Sequence, residues 1–162
     1  MKLSFSTKGW HNSNFEDFCA IAKDLKFQGI ELHNIHNELF TDRDAAFQKV
    51  TAPKTVRKLY EKKLSIPCID SICDPADKET KADSLKEIRE CIRIAGNLHI
   101  PGIRVHAKSH GEDDVATVQE FLTEVLPEAE AAGVTLLFET SGLFCDTAKL
   151  RDMLEHFACD SL

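Results

Sequence analysis

Five short segments of the chain alternate their side chains with the period of a strand, and each is followed by apolar residues at helical spacing. The segments run over residues 2–6, 29–33, 65–70, 102–107 and the stretch VTLLFETSG from Val134 to Gly142. Strict strand–helix alternation predicts a parallel sheet, for which two architectures compete: an open doubly wound sheet and part of a (β/α)8 barrel, which needs roughly 250 residues. Side-chain parity separates them. One face carries Ser4, Ser6, Glu31, His33, Cys68, Asp70, Arg104, His106, Thr135, Leu137 and Glu139, and the other carries Leu3, Phe5, Ile30, Leu32, Ile69, Ile103, Val105, Leu136 and Phe138. A doubly wound sheet is covered on both faces and needs both apolar. Here one face is polar, Leu137 apart, and its polar groups gather toward the strand C-termini. That is the pattern of a partial (β/α)8 TIM barrel, an α/β fold of five βα units. The doubly wound alternative also lacks its chemistry, because STKGWHNS after the first segment contains no glycine-rich phosphate cradle.

The connecting helices carry their own signals. Ser13 and Glu16 have capping-box spacing before Phe15, Phe18, Cys19, Ala22 and Leu25. A polar loop from Asn34 to Asp42 precedes a helix expected from about Asp44 to Lys63, with an interruption near Pro53. Pro67 weakens the third strand by removing a ladder donor. Ser84 and Glu87 make a second capping-box pattern ahead of Ile88, Ile92 and Ala95. Val115, Val118, Phe121, Leu122, Val125 and Ala129 predict an amphipathic helix with a kink at Pro127 and a stop at Gly133. Leu150, Met153, Leu154 and Phe157 mark a last short helix. No linker or low-complexity tract divides residues 1–162, which read as a single domain.

Composition narrows the function classes. The formal net charge of -7 argues against the basic footprint that nucleic acid requires. No apolar run approaches the length of a membrane span, and no apolar segment follows Lys2, so the expectation is a cytoplasmic protein with no membrane partner. The six cysteines are scattered without a CxxC pair and read as reduced thiols.

The residues at or near the strand ends are Glu31, His33, Asp70, His106, His110 and Glu139. A carboxylate ending a buried strand, as Glu139 does, is paired, bound to a cation or poised for proton transfer. Imidazoles and carboxylates converging on one mouth suit a divalent cation such as Mn, Mg, Co or Zn, or a proton shuttle over a polyol. Glu31 and Arg104 fit an interior ion pair as well as they fit a catalytic role. His36 and His110 read as solvent-side loop residues, and His11, His99 and His156 fit no shared mouth. Glu112, Asp113 and Asp114 read as negative charge at a helix N-terminus rather than as a metal site.

KLSFSTKGW, GIELH, IPCIDS, GIRVHAKSHG and above all VTLLFETSG resemble the first five βα units of the xylose isomerase-like TIM barrels, which include sugar and sugar-phosphate isomerases and epimerases and the apurinic endonucleases. The resemblance implies that Glu139 is a divalent-metal ligand that also serves as base and that His106 orients or polarises a substrate oxygen. It places Glu31, His33 and Asp70 on the substrate-facing mouth. The remaining metal ligands of that family come from later units, so the cation is incompletely liganded by these residues, and Leu162 stands where a sixth strand would begin. The expected activity is that of the N-terminal part of an isomerase or epimerase forming an ene-diolate from a small sugar or sugar phosphate. An apurinic endonuclease-like phosphodiesterase and a non-catalytic half-barrel module are the alternatives. With both sheet edges open, the 162 residues alone are expected to be inactive and to require a homo-oligomer or a C-terminal half.

Overall fold

The computed structural model describes residues 1–10, 13–34 and 45–162. The elements are β1 (Ser4–Ser6), α1 (Phe15–Asp24), β2 (Gly29–His33), a 3-10 turn (Ala45–Phe47), α2 (Ala52–Lys62), β3 (Cys68–Asp70), α3 (Lys81–Leu98), β4 (Gly102–Val105), α4 (Asp114–Ala132), β5 (Thr135–Phe138), a second 3-10 turn (Gly142–Cys145) and α5 (Thr147–Phe157). The polar loop after Asn34, with His36 and the expected start of the second helix at Asp44, lies outside the described residues, as does His11.

All neighbouring strands pair in parallel, in the order β1-β2-β3-β4-β5. Sequential order without reversal is decisive. Right-handed crossovers then place every helix on the same face, whereas a doubly wound sheet reverses its order to cover both. The covered face is the one that parity selected. Leu32 pairs with Ile69, Ile69 with Ile103 and Ile103 with Leu136, and all four side chains are essentially inaccessible. Phe15 and Phe18 of α1, Ile88 of α3 and Phe121 and Leu122 of α4 close the core over that row. The opposite row runs His33, Asp70, Arg104, Leu137, with Leu137 exposed.

Several local expectations shift. The reciprocal cap of α1 is made by Asn14 and Asp17, one residue beyond the Ser13–Glu16 pattern, because shorter Asn and Asp side chains close the same pair of bonds. Ser84 and Glu87 are not a cap. α3 begins earlier at Lys81, and the Ser84 hydroxyl instead meets the Asp74 backbone, accepting its N–H at 3.1 Å. Pro53 sits in the first turn of α2, where a missing N–H costs nothing, so the helix is confined to the residues after Thr51. α4 continues through Pro127 and ends at Gly133, whose φ of 67° is the left-handed cap a glycine adopts without strain. Ser65 touches β2 only as an isolated bridge to Gly29, and regular pairing resumes after Pro67. Among the described residues no helix is long and apolar enough to cross a membrane.

Candidate active site

The ladder bonds continue past the strands and define a rim at their C-terminal ends. Thr7 N–H donates to Glu31 O at 2.9 Å, Asn34 N–H to Asp70 O at 3.1 Å, Ser71 N–H to Arg104 O at 3.1 Å and Glu139 N–H to Val105 O at 3.0 Å. His106 and Glu139 therefore stand one residue beyond β4 and β5, still in register with the sheet.

Asp70 is the centre of this rim and is fully buried. Its Oδ1 accepts from Arg104 Nε at 3.0 Å and meets His106 Nε2 at 2.6 Å, while its Oδ2 meets His33 Nδ1 at 2.7 Å. Arg104 also reaches Glu31, Nη2 to Oε1 at 3.0 Å, and its Nε lies 3.5 Å from Glu139 Oε2. Burial alone would raise the Asp70 carboxyl, but the bonds donated by Arg104, His106 and His33 outweigh it and hold the group well below the usual carboxylate range. Reciprocally, the bond to Asp70, with the charges of Asp70, Glu31 and Glu139 behind it, holds the Arg104 guanidinium above its usual value against desolvation.

An ionised carboxylate can only accept, so each imidazole must present an N–H to Asp70. A neutral His33 then keeps its Nε2 lone pair, and a neutral His106 its Nδ1 lone pair, for another partner. Both rings line a cavity of about 350 Å3 together with Lys8, Ser71, Lys108 and Ser141. A larger cavity of about 570 Å3, lined in part by Asp74, Glu87 and His110, lies beneath the loops after β3 and β4 and includes neither His33 nor His106. Size does not select the site, since a depression of about 640 Å3 over α3 is larger still; the two imidazoles bonded to Asp70 mark the smaller cavity.

The structure thus brings together Glu31, His33, Asp70, His106 and, through Arg104, Glu139. The Glu31–Arg104 ion pair exists, but Asp70 is its centre, which the sequence did not indicate. His110 turns away to Asp74, Nε2 to Oδ2 at 3.0 Å. Asp114 accepts from His110 and Gly111 N–H at 2.7 and 2.9 Å, and Asp113 pairs with Lys78 at 2.9 Å, so the acidic run organises a loop. Sequence reading also passed over Asp74, whose Oδ1 accepts from Ala76 and Lys108 N–H at 3.2 Å each. Lys8 and Lys108 went unnoticed although each follows a strand by two or three residues.

Among the described residues no group of three or more His, Cys, Asp or Glu side chains is placed to hold a metal ion. Glu139 is accessible, with its side chain 39% exposed, but the nearby cation is Arg104, and both imidazoles are turned onto Asp70. Among the described residues the donors do not make a site for Mn, Mg, Co or Zn.

The family model described as xylose isomerase-like TIM barrel matches residues 19–162. Similar solved structures include a xylose isomerase domain protein from Planctomyces limnophilus (17% identity, TM-score 0.75, all of this chain and 60% of that one). The 3-keto-D-glucoside 4-epimerase YcjR from E. coli is also similar (15% identity, TM-score 0.77, 99% of this chain and 66% of that one). So is the IolI protein, whose structure holds a bound zinc atom (13% identity, TM-score 0.78, 99% of this chain and 60% of that one). This chain therefore spans about 60% of the length of the first of these structures. No curated protein sequence matches it significantly.

Proposed function

Since the chain belongs to the xylose isomerase-like TIM barrel family, we propose that within a complete barrel it works as a sugar or sugar-phosphate isomerase or epimerase. The reaction moves a proton at a carbon beside a carbonyl through an ene-diolate. The observation that carries this reading is Glu139: an accessible carboxylate at the rim of β5, 3.5 Å from Arg104, which shares a buried aspartate with two imidazoles. Glu139 removes the proton from the substrate carbon and, as the acid it has become, returns one on the same face to the neighbouring carbon; return to the opposite face, which epimerisation needs, takes a second acid from the rest of the barrel. His106 and His33, each tied to Asp70 through one ring nitrogen, accept hydrogen bonds from substrate hydroxyls with the other. Arg104 lies against Glu139 and offsets the charge that the enediolate develops. Glu31 keeps Arg104 in place from the far side.

Glu139 is also the carboxylate this chain offers to a divalent ion, in keeping with the zinc bound by the similar IolI protein. One ligand does not make a site, and the proton transfer above rests on the side chains alone.

The test is Glu139→Gln in the complete barrel, assayed against ketoses, aldoses and their phosphates in deuterated water. Wild type exchanges a substrate C–H for deuterium. The variant keeps its fold and loses about two orders of magnitude or more in turnover, the usual contribution of a positioned base. Normal exchange by the variant would remove Glu139 from the mechanism.

A further inference from the structure

The wall of the 350 Å3 cavity runs against the charge of the molecule. The chain carries 27 Asp and Glu against 20 Lys and Arg, yet among the described residues the charged groups lining the cavity are Lys8 and Lys108, with no Asp or Glu. Of the rim acids, Glu139 does not line it, and the other two are committed elsewhere. Asp70 is buried with both oxygens committed to Arg104, His106 and His33, and Glu31 is committed to Arg104. Asp74 comes within 3.8 Å of the Lys108 ammonium, but its Oδ2 is already bonded to His110 at 3.0 Å. The Lys108 side chain stays 73% exposed. Lys8 has no ion-pair partner among the described residues. Two ammonium groups from the loops after β1 and β4 thus stand across the ends of β2 and β3, and Ser141 after β5 lines the same cavity, while the Ser71 hydroxyl is donated to the Arg104 carbonyl at 2.8 Å.

From this arrangement we infer that the cavity is a subsite for an anionic group of the substrate, a phosphate or a carboxylate, held by Lys8 and Lys108. The inference rests on the proposed sugar chemistry and narrows it to anionic sugars. Lysine is suited to this task, because a mobile ammonium serves a compact anion as a point charge without demanding planar geometry. The volume is that of about a dozen waters at ~30 Å3 each, enough for one anionic group and its neighbouring carbons. Glu139 does not line the cavity, but Ser141, two residues further along the same loop, does, so a substrate anchored there extends toward the proton-transfer carboxylate. Binding energy from a part of the substrate that does not react is then available to orient the part that does.

The experiment is calorimetric titration of the complete barrel with inorganic phosphate and, separately, with acetate, on wild type, Lys8→Gln, Lys108→Gln, the double variant and Glu139→Gln. Wild type binds at least one anion in the millimolar range. Each lysine substitution weakens that binding about tenfold, as the loss of a charge-assisted contact does, and the double variant abolishes it. Both lysines are exposed, so the fold is unaffected. Tighter phosphate binding assigns a phosphorylated sugar, and tighter acetate binding assigns a sugar acid. Glu139→Gln retains or improves anion binding while losing turnover, which separates this subsite from the catalytic reading. Failure of wild type to bind either anion, or binding indifferent to both lysines, overturns the subsite. Turnover of neutral sugars that the double variant leaves intact overturns it too, with the proposed function still standing.

Discussion

Replacing Asp70 with asparagine tests whether the buried carboxylate organises the rim. The amide is isosteric and its oxygen can stay on Arg104 and His106, but its NH2 then replaces Oδ2 and faces the N–H of His33, and the negative charge that holds Arg104 is gone. Removing one partner of a buried ion pair costs about 3–5 kcal/mol. The Arg104 side chain is 29% exposed and keeps Glu31 at 3.0 Å, which places the expected loss near the lower end, about 3 kcal/mol. For a chain of this length that is a fall in Tm of roughly 6–12 °C. The pH dependence has a definite sign. The folded carboxyl lies below its ordinary value, so its contribution is complete above the unfolded value of about 4 and is lost as pH falls from there through the folded value. Urea denaturation followed by circular dichroism at pH 7, 5 and 3.5 should show the gap between wild type and Asp70→Asn full at the first two and narrowing at the third. A variant within about 0.5 kcal/mol of wild type at pH 7, the range of ordinary surface substitutions, would refute the reasoning. So would a gap that widens in acid.

Two further outcomes follow from the packing. Gly142 has φ of 57°, and a Cβ there would stand 2.3 Å from the backbone oxygen of Ala107, so Gly142→Ala should cost about 2 kcal/mol or more in urea melts; a neutral result would mean that the loops after β4 and β5 do not touch. Thiol labelling of the native protein should modify exposed Cys145 first and spare buried Cys73, whose thiol burial pushes up to about 12, and buried Cys91. Mass mapping of the adducts checks the order, and equal labelling of Cys73 and Cys145 would contradict it.

How much of this was legible in the sequence depends on the range over which each feature is set. The two faces of each strand were readable because alternation is a property of the local backbone: Ile30, Leu32, Ile69, Ile103 and Leu136 fell on the covered face together. The stop of α4 at Gly133 was readable for the same reason. Ser84 misled, since the pattern it shares with Glu87 is local while the partner its hydroxyl finds, Asp74, is supplied by the fold. Among the rim groups, Glu31, His33, Asp70, His106 and Glu139 could be named as a set, but not who pairs with whom. That Asp70 lies beside both His33 and Arg104 is a matter of strand register. The cationic wall of the cavity likewise joins Lys8 to Lys108 across strands that a hundred residues of chain separate. Alternation and helical spacing are written residue by residue, so the chain alone determined a one-sided parallel sheet with a polar rim. The register of five strands is chosen by how their helices pack over Ile30, Leu32, Ile69 and Ile103, so only the tertiary structure decided that one buried aspartate would hold an arginine and two histidines.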